Sequence, residues 1–157
     1  MRIGLSLLFL LLLSGIAGTA ANLLREGAAR LPWTQDWSVA VEKDAELEGF
    51  PVVKTADVEK AIEAATYMFI FDARSEDHYN AGHLPTAMPL PVTEFGHRFI
   101  DYLPALTPTD RLLVYCSGAA CDESLALARA LRDQGYTGVD IYVDGIAGWE
   151  EAGKDME

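Results

Sequence analysis

The stretch Leu112–Ser124, LLVYCSGAACDES, is where the fold and the chemistry of this chain can first be read. An apolar, strand-like run stops at Cys116. A loop of small residues follows (Ser117, Gly118, Ala119, Ala120), then Cys121, two acids (Asp122, Glu123), and Ser124 at the opening of a helix. Cys116 and Cys121 are the only two cysteines of the 157 residues. A strand that turns through a short loop into a helix is the building unit of a parallel sheet, and ligands of such sheets gather outside the carboxyl ends of the strands. In that turn, backbone N–H groups and the helix N-terminus converge near the Cys116 sulfur. Such a setting stabilises a thiolate and lowers the thiol pKa below about 8.5. Cys116 is therefore expected to be the more reactive of the two thiols; the alternative is an inert buried cysteine at a strand end.

Outward from this turn the pattern alternates. PVVKT (51–55) reads as a short strand, and TADVEKAIEAA (55–65) as a helix with Thr55 at its N-cap and Val58, Ile62 and Ala65 on one face. YMFIFDA (67–73) is a nearly continuous apolar run, as in a strand buried on both faces. AMPLP (87–91) reads as a strand, TEFGHRFIDYL (93–103) as a helix closed by prolines, and RLLVYC (111–116) as a second buried strand. ESLALARALRDQG (123–135) is a helix with Leu125, Ala128 and Leu131 on one face and Gly135 as its C-cap, and VDIYVDG (139–145) is the last strand. The expectation is an α/β domain with a mostly parallel sheet of about five strands flanked by helices.

Upstream, Ile3–Leu24 carries no formal charge and is bracketed by Arg2 and Arg25. About 20 apolar residues suffice to cross roughly 30 Å of hydrocarbon. Residues 1–24 are expected to form a transmembrane helix; the alternative is a secretory signal cleaved after Ala20 or Ala21. A signal h-region runs to about 7–15 residues, and the longer run favours a retained anchor. Residues 25–48 then read as a juxtamembrane connector, with Trp33 and Trp37 either at headgroup level or packed on the domain, and residues 49–157 as the domain itself. A short charged tail before the only apolar segment places the domain outside the cytoplasm, on a membrane of the bacterial inner type.

The formal net charge is −12, which argues against nucleic acid and against a polybasic grip on anionic lipid. Two cysteines are too few for a disulfide scaffold. No Cys/His set has zinc spacing, and His78, His83 and His97 are scattered, so neither a metal nor another cofactor is implied.

Three separated segments, in order, resemble a rhodanese-like domain over about Pro51 to Gly153. FDARSEDHYNAGHLPTAMPLP resembles the family's Asp-x-Arg stretch and its Gly-His-(Ile/Leu)-Pro-x-Ala segment. LLVYC, its loop and the small-residue helix resemble the active-site strand and cysteine loop. IYVDGIAGWEEAG resembles the C-terminal segment. The resemblance implies a sulfurtransferase: a cysteine thiolate takes up a sulfane sulfur from a donor, holds it as a persulfide, and passes it to a thiol acceptor. It assigns the nucleophile to Cys116. Asp72, Arg74 and His83 become framework residues, and Trp149 a core residue.

The departures from that pattern bear on substrate. Ser124 lies eight positions beyond Cys116, so the loop is longer than usual. It holds no arginine, whereas the phosphatases and arsenate reductases of this fold need one to clasp an oxyanion. Asp122 and Glu123 instead repel a dianion and tend to raise the thiol pKa; as ordinary first-turn capping residues they would chiefly offset the helix dipole. Thiosulfate is expected to be a poor donor. Thr86 and Asp144 stand where the family usually has glycine. Cys121 is either a resolving thiol, forming an intraloop disulfide with Cys116, or a small residue in a tight turn. Two functions stay open: a tethered sulfur carrier, or a non-catalytic accessory subunit docking on a membrane protein complex.

Overall fold

Five short strands, β1 (Val52–Val53), β2 (Phe69–Asp72), β3 (Ala87–Pro89), β4 (Arg111–Tyr115) and β5 (Gly138–Tyr142), lie in the order β1-β5-β4-β2-β3. Every pairing is parallel, and β4 is central, with Leu113 opposite Ile70 on one side and Asp140 on the other. The architecture is that of a computed structural model, which describes residues 2–24, 37–67 and 69–157. The chain divides into two units, Met1–Gln35 and Asp36–Glu157.

Each strand of a covered parallel sheet sends alternate side chains to opposite faces. Phe71, Leu112, Val114 and Ile141 enter one core, with Phe99 of α5 (Phe95–Tyr102) and Leu125, Leu127 and Leu131 of α6 (Glu123–Asp133). Ile70, Leu113, Tyr115 and Tyr142 enter the other, with Val58 of α3 (Thr55–Glu63) and Ile146 and Trp149 of α7 (Gly145–Glu151). α6 ends as its sequence indicates: Gly135 follows the cap at φ 95, and its N–H bonds to the Arg132 carbonyl at 2.9 Å.

One expectation is corrected, and another finds no support. The segment 25–48 is not all connector, because α2 (Trp37–Leu47) buries Val41 and Ala45 in the domain core beside Phe50 and Leu131. Residues 25–36, with Trp33, and the Trp37 side chain lie outside what is described. The unsupported expectation concerns the leader. Residues Arg2–Leu23 do form a helix, α1, but among the described residues no helix is long and apolar enough to cross a membrane.

Candidate active site

Cys116 is the first residue after β4, and two helices converge on its loop. The loop closes on itself where the Cys121 N–H bonds to the Gly118 carbonyl at 2.9 Å, and then enters α6. From the other side, α7 donates its first N–H groups backwards. Ile146 N–H reaches the Cys116 carbonyl and Ala147 N–H the Ser117 carbonyl, both at 3.0 Å. This approach needs a glycine. Gly145 has φ 59, and a Cβ there would strike the Cys116 carbonyl oxygen and lie 2.6 Å from the Gly118 nitrogen.

Cys116 and Cys121 form a disulfide, their Cα atoms 6.3 Å apart, inside the range disulfides span. Cys116 is 1% exposed while Cys121 is half-buried above it, so access favours Cys121, opposite to the reactivity expected from the strand-end position. Glu123, in the first turn of α6, brings its Oε2 to 3.4 Å from the Cys121 sulfur. Asp122 occupies the cap position of α6 but makes no capping hydrogen bond. Its backbone is helical (φ −88, ψ −4), whereas a capping side chain reaches back from an extended backbone. Ser124 is buried.

A hollow of about 370 Å³ lies over Ser117, Gly118, Ala119, Ala120 and Cys121. Beside it, sharing Ala119, runs a groove of about 450 Å³ whose polar lining is Thr55, Asp144 and Glu151. Both charged residues of that lining are acids. Basic groups on adjoining elements are already paired: Arg129 with Glu48, and Lys54 with Glu42 at 2.9 Å and with Asp144 of the groove itself at 3.4 Å.

Thr55 is the first residue of α3 rather than its cap. Asp144, 89 positions on, accepts from both the Thr55 N–H and hydroxyl at 3.1 Å, and so caps α3 from across the fold. The Thr55 hydroxyl also meets the Tyr142 hydroxyl at 2.9 Å, and burial pushes the Tyr142 pKa up to about 12. Thr55 and Asp144 line the groove, Tyr142 lies buried behind Thr55, and the three were missed as a set by sequence reading.

The four framework residues bond to groups outside the cysteine loop. Arg74 Nη2 donates to Asp72 at 2.6 Å and to the Gly82 carbonyl at 2.7 Å, and the Tyr115 hydroxyl donates to Asp72 at 2.7 Å. The same hydroxyl accepts from the Leu84 N–H at 3.2 Å, so this buried network ties β2 and β4 to the segment before β3. Burial works against the Arg74 charge, but the Asp72 carboxylate more than offsets it and holds the guanidinium above its ordinary pKa. Burial, then Asp72, raises that of Tyr115. His83 stacks on Tyr79 and exchanges backbone hydrogen bonds with Glu157, while Trp149 Nε1 donates to the Asp155 carbonyl at 2.9 Å. Neither ring faces the cysteine loop through any of these contacts.

The strand-end cysteine, whose loop carbonyls are held by α7 amides, lies within the span, residues 54–152, that matches the family model for the rhodanese-like domain. The chain belongs to the rhodanese-like family. Solved structures similar to this rhodanese-like chain include sulfurtransferases. A thiosulfate sulfurtransferase from Pseudomonas aeruginosa superposes with a TM-score of 0.59 at 23% identity, covering 77% of this chain and 22% of that one. A human single-domain sulfurtransferase gives 0.56 at 23% identity, covering 66% and 97%. At such identities the likeness is one of fold. A curated relative, a helix-turn-helix-type transcriptional regulator of Mycobacterium tuberculosis, is 32% identical over 88 residues, which is 56% of this chain and 37% of the regulator. The chain thus spans well under half the length of that relative.

Proposed function

We propose that this rhodanese-like domain is a sulfurtransferase that carries sulfur as a persulfide on Cys116. The observation carrying this reading is the position of Cys116 at the carboxyl end of β4, at the start of the loop whose next residues, Ser117 to Cys121, line an open hollow. In the reduced loop the Cys116 thiolate attacks the outer sulfur of a donor persulfide. A new S–S bond forms, the donor's S–S bond breaks, and the donor leaves as a thiolate. An acceptor thiolate then takes the outer sulfur by the same exchange and regenerates the Cys116 thiolate.

The donor is a persulfide or polysulfide rather than thiosulfate. A sulfonate entering past Asp144 and Glu151 would meet like charge, with the nearby Lys54 already paired. Cys121 acts as the resolving thiol. Its thiolate attacks the inner sulfur of the Cys116 persulfide, forms the Cys116–Cys121 disulfide, and expels hydrosulfide. A dithiol reductant then restores both thiols, becoming a disulfide itself.

The test is intact-mass detection of one added sulfur on the reduced protein after exposure to a small-molecule persulfide. Loss of that mass in Cys116→Ser is expected. A wild-type protein that never gains it is instead the accessory binding module. Tethering at a membrane, with the domain on its non-cytoplasmic side, is proposed on the uncharged run Ile3–Leu24 alone. Release of the full chain from membranes by carbonate washing would remove that part of the proposal and leave the rest standing.

A further inference from the structure

We propose that the reduced loop is also a binding site for a thiophilic divalent cation of the zinc class, held by Cys116, Cys121 and Glu123. One donor atom from each of these residues lies within 4.8 Å of the other two. Two thiolates and a carboxylate suit zinc and its heavier congener cadmium; magnesium and calcium prefer oxygen alone. Four residues separate the cysteines, a spacing that one zinc ligand pair can use, although two cysteines alone make no zinc set. Cysteine and histidine spacing alone does not reveal this set, because its third donor is a carboxylate on the following helix.

The backbone needs little adjustment. The Cα atoms stand 6.3 Å apart. Two sulfurs on one tetrahedral ion at about 2.3 Å each would sit roughly 3.8 Å from one another, a separation reached by turning side chains. Glu123 already faces the Cys121 sulfur. Three protein ligands leave a fourth position, which opens on the hollow above Ser117–Cys121 and can take water or a small thiolate.

Charge points the same way. Reduced and ionised, the loop holds two thiolates beside Asp122 and Glu123, with no basic residue of its own between Cys116 and Ser124. A divalent cation neutralises that excess. Reaching this state takes two electrons and two protons: a phosphine and water reduce the disulfide to two thiols and yield the phosphine oxide. Binding the ion then releases the two thiol protons. An ion on Cys116 draws electron density from the thiolate and lowers its nucleophilicity towards a sulfane sulfur, so metal binding and persulfide uptake compete.

The full chain, reduced with a phosphine and desalted without air, is titrated with Zn²⁺ by calorimetry and with Cd²⁺ by its ultraviolet thiolate-to-metal band. One ion per chain is expected, with about two protons released. Cys116→Ser and Cys121→Ser should each abolish the cadmium band of a two-thiolate site. Glu123→Gln, an exposed substitution that leaves the fold intact by circular dichroism, should weaken affinity at least tenfold, on the order of what even outer-shell partners contribute. The inference is overturned if the oxidised protein binds as tightly as the reduced one, if Glu123→Gln binds like wild type, or if no saturable binding occurs. Persulfide uptake by the metal-free protein is scored separately, so failure here leaves the sulfur-transfer reading intact.

Discussion

Replacing Gly145 by alanine should damage the nucleophile loop more than any left-handed conformation alone can explain. At φ 59 an alanine pays a conformational penalty of about 1–2 kcal/mol. Its Cβ would also collide with the Cys116 carbonyl oxygen and lie 2.6 Å from the Gly118 nitrogen, both backbone atoms with no rotamer to change. Relief requires α7 to withdraw, which breaks the bonds from Ile146 N–H and Ala147 N–H to the loop carbonyls. At about 1 kcal/mol each, these bring the expected loss to roughly 3–4 kcal/mol. Gly153 is the natural control. It has φ 67, and a Cβ added there would meet nothing within 4 Å, so Gly153→Ala should cost only about 1–2 kcal/mol. Urea unfolding followed by circular dichroism compares the two, and the persulfide yield of Gly145→Ala should fall as well. If the two variants unfold within about 1 kcal/mol of each other, the close approach of α7 to the loop is not as described.

Other outcomes follow from the same contacts. Thr86 is exposed with φ 66, so Thr86→Gly should stabilise by about 0.5–1 kcal/mol, the left-handed cost relieved less the entropy glycine adds to the unfolded chain; an unchanged urea midpoint would refute this. Asp72→Asn leaves the Arg74 charge buried against a neutral amide and should cost about 3–5 kcal/mol; a loss under about 1 kcal/mol would mean the pair is not buried. The fold favours neutral Tyr142, whose pKa is raised to about 12, so stability should hold below pH of about 10, where the unfolded phenol begins to ionise, and decline towards pH 12. Flat urea midpoints from pH 9 to 11.5 would contradict that sign. In the reduced protein, a bulky maleimide should label Cys121 before Cys116, whereas a small persulfide should load Cys116; equal maleimide rates at both would show that the buried position does not restrict access.

The strands were legible because a strand covered on both faces needs an unbroken apolar run, and FIFD and LLVY provide one. The small-residue face of α6 was equally plain. α4 (Glu76–Ala81) and α7, at six and seven residues, are too short to establish a helical period. α2 did carry a signal, Val41 and Ala45 four apart on one face, hidden by the expectation of a connector after an apolar leader. In the candidate site, the place of Cys116 at the end of β4 was legible from the apolar run before it. The role of Asp144 could not, since a side chain that caps a helix 89 residues away is fixed by tertiary placement and not by any local pattern. The burial of Cys116 under Cys121 likewise depends on how the loop is folded back, which composition does not encode.

The tie between α7 and the loop has one more use. The amides of Ile146 and Ala147 are held by the carbonyls of Cys116 and Ser117, the two residues that must shift if the loop changes its bonding. Deuterium uptake at those two amides is therefore a spectator of the sulfur's state. It can be followed in an unlabelled protein, with no probe on either thiol, and its rate would differ among the disulfide, persulfide and reduced forms while the amides of β4 stay protected.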